Sequence, residues 1–205
     1  MPLISSLIYL ASRSPRRREL LHQIGVEHEV LTQRIKPARG PDVNEDVRPG
    51  EAPRDYVMRV CRDKAESGWT RIEQRKLPLR ALLAADTTVC MGEEIFGTPA
   101  DATEAAGFLA RLSGSEHEVL TAVALKYQDR LELVLSSTSV RFRVLERAEI
   151  DRYVASGEPM DKAGAYGIQG YAGAFVTEIR GSYSGVMGLP LYETAQLLKR
   201  FGIGL

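Results

Sequence analysis

An uncharged apolar run, Leu7 to Ala11, passes straight into Ser12-Arg13-Ser14-Pro15 and then into three arginines. That junction constrains the fold more than any other feature of the chain. A short apolar run bounded by small polar residues reads as a buried strand. Serine next to proline reads as a helix start, because Ser can cap free N–H groups and Pro fits the first helical turn. Leu20, Leu21 and Ile24 continue at helical spacing, and Gly25 suits the C-terminal stop. The chain therefore opens with a strand–turn–helix unit.

Further along, the patterning alternates. Glu27 to Thr32 reads as a second strand, and residues 36–53, rich in Pro, Gly and charge, as a long loop. Tyr56 to Ser67 reads as a helix closed by Gly68. Ala81 to Ala85 reads as a strand ending at Asp86, with a hairpin around Gly92 after it. Asp101 and Glu104 open a helix with a capping-box pattern. Val119 to Leu125 and Leu131 to Val144 form a long hairpin around Gln128 and Asp129. Glu146 to Ala155 is a helix, the glycine-rich stretch 157–173 a loop, Phe175 to Ile179 a strand, and Leu191 to Phe201 a closing helix. Parallel-capable units beside antiparallel hairpins predict an α/β or α+β fold.

Composition excludes several classes. The 205 residues carry 27 Lys+Arg and 27 Asp+Glu, a formal net charge of zero. That balance argues against bulk nucleic-acid binding or a polybasic membrane contact. The first twelve residues carry no charge and are too short to span a bilayer, and the basic residues Arg13 and Arg16 to Arg18 follow the apolar run instead of preceding it. Cys61 and Cys90 form no CxxC pair, and His22, His28 and His117 have no metal-ligand spacing. A reduced cytoplasmic protein is expected.

Four segments carry possible chemistry. Arg16 to Arg18 place cations at a helix N-terminus against the macrodipole. Either this is a solvated basic helix end, or an anion binds there. Asp86-Thr87-Thr88 puts a carboxylate after an apolar strand, where it either bonds its own turn or binds a hard cation and takes a proton from water. Lys64 lies on the apolar stripe of its helix and either snorkels or pairs with a buried anion. The segment from Glu158 to Gly170 sets Lys162 and Gln169 among glycines, able to approach a phosphate and a base edge.

Together and in this order, the segments resemble the Maf family of nucleotide pyrophosphatases. The resemblance is carried by LASRSPRRRELL (10–21), RVCRDKA (59–65), AADTTV (84–89), LSGSEHEVLTAVAL (112–125), YVASGEPMDKAGAYGIQG (153–170) and GLPL (188–191). It implies a single domain over residues 1–205, an elongated α/β fold whose mixed sheet bears two lobes around a deep cleft, akin to inosine triphosphate pyrophosphatases. It implies hydrolysis of nucleoside triphosphates to monophosphate and pyrophosphate, a divalent cation (Mg, Mn or Co) bound at Asp86, and a homodimer. Asp86 matches the family's catalytic acid. Ser12, Arg16 and Arg17 match its phosphate-binding turn, and Lys64 and Lys162 its two lysines. Arg16, Thr87 and Gln169 match the trio marking the branch that takes dTTP and UTP. The resemblance also leaves open a nucleotide-binding regulator of cell division with weak or no catalysis. Two departures stand out. Lys36 and Pro37 occupy positions where the family carries an acidic pair, and Thr98 stands where it has a lysine before proline.

Overall fold

A computed structural model describes residues 6–31 and 43–204. Its elements are β1 (Ile8–Leu10), α1 (Pro15–Gln23), β2 (His28–Val30), α2 (Pro53–Gln74), β3 (Leu82–Met91), β4 (Glu94–Phe96), α3 (Ala102–Leu112), β5 (Glu116–Tyr127), β6 (Arg130–Phe142), α4 (Arg147–Ala155), β7 (Val176–Arg180), α5 (Tyr183–Met187) and α6 (Leu191–Arg200). The molecule is mixed α/β. One seven-stranded sheet runs in the order β2-β1-β3-β5-β6-β7, with β4 paired to β3. The β1–β2 and β1–β3 pairs are parallel and all others antiparallel. Both architectures expected from the sequence therefore meet in one sheet, at β3.

Side-chain alternation along β3 sorts the core. Leu82 and Ala84 face α2, packed with Val57, Val60, Cys61 and Trp69. Leu83 and Ala85 face the opposite side, with Leu20, Leu21, Leu198 and Phe201 from α1 and α6. A third cluster unites Leu109, Phe142, Ile150, Tyr166 and Phe175 around the far ends of β5 and β6.

Several expectations are corrected. The second helix does not stop at Gly68; it runs to Gln74. A mid-helix glycine costs about 1 kcal/mol relative to alanine. Burial of Trp69 and Ile72 beyond it contributes roughly 1.5–3 kcal/mol for each large side chain, so packing wins. Gly68 also permits a close approach, since a Cβ there would stand 2.6 Å from Leu82 Cδ2. The Ser14 side chain makes no capping bond to α1; instead its amide donates to Ser12 Oγ at 3.2 Å. The stretch 157–173 contains short 3-10 turns at Glu158–Asp161, Ala163–Ala165 and Tyr171–Phe175. The helix α5 carries no apolar stripe long enough to read from sequence.

The strand expected to end at Asp86 continues through it to Met91. Asp86 is a mid-strand residue, opposite Ala122 of β5. On the other edge of β3, β1 pairs only with Leu82 and Leu83, and pairing with β4 starts only at Val89. Between them β3 has no ladder partner on that edge among the described residues, and the sheet opens there.

Candidate active site

The opening in the sheet edge is the floor of a cavity of about 930 Å³. Ser12, Arg16, Arg17, Lys64, Asp86, Thr87, Lys162 and Gln169 all line it, although the sequence scatters them over nearly 160 positions. Thr98 lines it as well.

The alternation of β3 places two chemically distinct groups side by side. Asp86 faces α2, where Lys64 Nζ donates to its Oδ1 at 2.6 Å. Both side chains are about nine-tenths buried. Lys64 is thus on the inward stripe because it pairs with an anion, and the snorkelling alternative is set aside. A second carboxylate, Glu45 Oε1, reaches the same Nζ at 3.1 Å. Spacing did not single out Glu45, because it lies in an irregular stretch with no periodicity. It supplies an acid to the cavity, where the resemblance expects an acidic pair at the positions of Lys36 and Pro37; those two positions lie outside the described residues.

Thr87 faces the other way, towards α1. There Arg17 is enclosed: its Nε donates to Gly188 O at 2.8 Å, Nη1 to Ala85 O at 2.7 Å and Ser12 Oγ at 3.3 Å, and Nη2 to Thr87 Oγ1 at 3.2 Å. Burial pushes the Arg17 pKa down, partly offset by the Asp86 carboxylate. With four of its five N–H groups committed to the protein, Arg17 ties α1 and the 188 turn to the open edge of β3. The Thr87 and Thr121 hydroxyls lie 3.0 Å apart, and Thr121 Oγ1 donates to Gly185 O at 2.8 Å. Since Thr121 spends its proton on Gly185, Thr87 donates to Thr121, and the face it offers the cavity is an acceptor. Gly188, at φ +116°, would bring a Cβ to 3.5 Å from Arg17 Nε. A side chain at that backbone angle is strained.

Across the cavity, Arg16 Nη1 bonds Asp161 Oδ2 at 3.0 Å. Lys162 Nζ donates to Asp161 Oδ1 at 2.5 Å and to Glu158 O at 2.6 Å. Burial alone would raise the Asp161 pKa, but the bonds from Lys162 and Arg16 outweigh it and hold the carboxyl below its usual value. Gln169 is exposed on the cavity wall, between the 3-10 turns at Ala163–Ala165 and Tyr171–Phe175.

The model of the family described as Maf-like protein matches residues 7–201. The chain belongs to the Maf family. Maf relatives named dTTP/UTP pyrophosphatase align over nearly the whole chain. The Nitrosomonas europaea protein is 55% identical over 97% of this chain and 96% of its own length. That of Aromatoleum aromaticum is 56% identical over 98% of each, and that of Bordetella parapertussis 59% over 97% and 94%. The solved structure of the Staphylococcus aureus Ham1 protein overlaps 66% of this chain and 71% of its own at TM-score 0.43 and 12% identity.

In this Maf chain, no three His, Cys, Asp or Glu side chains gather as a metal-sized cluster among the described residues. Asp86 and Glu45 converge on one ammonium, which occupies a cation's place between them. Two carboxylates suit a hard divalent cation that completes its shell with water and substrate phosphates. The donor set therefore fits a cation shared with a triphosphate better than one held by protein alone. Among the described residues, no helix is long and apolar enough to cross a membrane.

Proposed function

We propose that this Maf protein hydrolyses dTTP and UTP to the monophosphate and pyrophosphate, clearing such nucleotides from the cellular pool. The observation that carries the reading is the Lys64–Asp86 pair, joined by Glu45, facing Arg16 and Lys162 across one cavity. The names of the relatives support the same substrates.

In this reading the triphosphate lies along the cavity with its leaving pyrophosphate near Arg16 and Lys162. Their cations stabilise the charge that develops as the α–β bond breaks. Water attacks the α-phosphorus; an O–P bond forms, the bridging P–O bond breaks, and Asp86 takes the proton. Lys64, bonded to Oδ1, holds the Asp86 carboxylate in place for that step. A divalent cation (Mg, Mn or Co) would be held by Asp86 and Glu45 together with the nucleotide, and would supply neutralisation of the phosphate charge. Arg17 fixes Ser12 and Thr87 at the cavity edge. Gln169 reads the base: uracil and thymine present an N3–H donor between two carbonyls, and an amide offers an acceptor and a donor together. The cytoplasm, where such substrates are made, fits the two unpaired buried cysteines. A homodimer belongs to the same proposal, and light scattering tests it.

The deciding experiment is pyrophosphate release from dTTP, UTP, CTP, GTP and 7-methyl-GTP, each with Mg, Mn and Co. Release from dTTP and UTP above the others is expected. Tight nucleotide binding without release would favour a non-catalytic regulator, and a preference for 7-methyl-GTP would overturn the substrate assignment.

A further inference from the structure

The carboxylate of Glu45 stands on an unusual support. Its side chain is 54% exposed, so packing does not hold it at Lys64. Residues 43–52 contain no helix or strand, so no ladder holds their backbone either. An irregular segment of this kind loses conformational freedom at every residue on being fixed, and something must offset that.

The offset comes from α2. Arg59 grips Glu51 with both arms, Nε to Oε1 at 2.5 Å and Nη2 to Oε2 at 2.8 Å. The side chains of this pair are 13% and 8% exposed. The same guanidinium donates to Asn44 O at 3.1 Å and to Asp46 O at 3.0 Å. Tyr56 Oη donates to the carbonyl between them, Glu45 O, at 3.0 Å. Three consecutive carbonyls are thus tied to two side chains one helical turn apart on α2, the helix that also carries Lys64. The hydrogen bond from Arg59 draws the Glu51 carboxyl down to about 2, which keeps it ionised.

We propose that Arg59, assisted by Tyr56 and Glu51, is a positioning residue that delivers the Glu45 carboxylate to Lys64 and Asp86. The proposal rests on the reading of the cavity as a hydrolytic site. Arg59 touches no substrate; it acts through Glu45. The bidentate bond to Glu51 sets the angle of the guanidinium, and its remaining N–H groups then fix the backbone on both sides of Glu45. Lysine cannot do this, having a point charge and no planar fork.

The test is a double-mutant cycle on the full chain. It measures kcat and KM for dTTP hydrolysis by wild type, Arg59→Ala, Glu45→Gln and the double variant. Arg59→Ala should lower kcat about 10-fold or more, as loss of an outer-shell support does. In the Glu45→Gln background the same change should alter kcat less than about twofold, because its target is gone. Arg59→Lys should not rescue. General destabilisation would cut activity by the same factor in both backgrounds, and that result overturns the proposal. So does a Glu45→Gln variant with wild-type turnover. Hydrogen exchange of the 43–52 amides is read in parallel and should speed up in Arg59→Ala. If the wild type releases no pyrophosphate, the hydrolytic reading fails, and the exchange alone decides the clamp: unchanged protection sinks it.

Discussion

Arg16 of α1 is bonded to Asp161 across the cavity at 3.0 Å, joining residues 145 apart in sequence. Asp161 also accepts from Lys162. One carboxylate therefore neutralises two of the cations that face the triphosphate in the proposed reaction. An entering phosphate competes with Asp161 for both, and the exchange replaces one charge-assisted bond by another of similar strength.

Arg16→Ala is expected to weaken nucleotide binding and to lower kcat/KM by about 10- to 100-fold. A lost hydrogen bond to a charged group costs roughly 1.5–3 kcal/mol. Steady-state kinetics with dTTP check it. A value within error of the wild type would make Arg16 a partner of Asp161 and nothing more.

Asp86→Asn should retain much of the nucleotide affinity and lose hydrolysis, with kcat down about 100-fold or more, the usual scale for a general base. The amide is isosteric but cannot take a proton from water, and Lys64 keeps only Glu45 as an ionic partner. Calorimetric binding alongside pyrophosphate release separates the two effects. Near-normal turnover in a folded variant removes Asp86 from the chemistry.

Gln169→Glu should lower activity on dTTP and UTP and raise the relative activity on guanine nucleotides. A carboxylate accepts from two neighbouring N–H groups, which suits the guanine edge, and it offers no donor to a carbonyl. The measurement is kcat/KM across dTTP, UTP, CTP, GTP and 7-methyl-GTP. An unchanged profile would separate Gln169 from base recognition.

His117 is buried, with its Nε2 against Tyr166 Oη at 2.9 Å and its ring packed edge-on to Phe142. Burial lowers its pKa to about 4, against roughly 6.5 in an unfolded chain. Because the folded value is depressed, stability from the neutral ring is complete above about 6.5. It is lost as pH falls from there to about 4, where the unfolded chain binds a proton that the folded one refuses. The loss attributable to this residue is on the order of 3 kcal/mol. Denaturant midpoints for wild type and His117→Gln, taken between pH 7 and pH 4, should converge as pH falls; parallel curves would contradict it.

Periodicity made the long elements legible. The apolar stripe of α2, the capping acid of α3 and the alternating hairpin of β5 and β6 each declare themselves within a dozen residues. The end of α2 did not, because Gly68 is a local stop signal overruled by Leu82, a contact fourteen residues away. The mid-strand position of Asp86 was hidden for a similar reason. A carboxylate followed by two threonines looks like a strand end, and only the pairing with β5 carries the strand onward. Of the site, charged residues on regular elements could be read: Lys64 from its helix face, Arg16 and Arg17 from the helix dipole they oppose. Glu45, Arg59 and Thr121 could not. Their roles come from what lies opposite them in space, and an irregular segment or a strand interior offers no pattern that points there.

The alternation of β3 has a consequence for how a site of this kind tolerates change in length. Asp86 meets Lys64 on one face of the sheet and Thr87 meets Arg17 on the other. One residue inserted or deleted between Leu83 and Asp86 would turn the carboxylate towards α1 and the hydroxyl towards α2, exchanging their partners. A lengthening of the hairpin at Gly92 leaves that parity untouched. Insertions and deletions can accumulate at the rim of the cavity, whereas its floor admits substitution only.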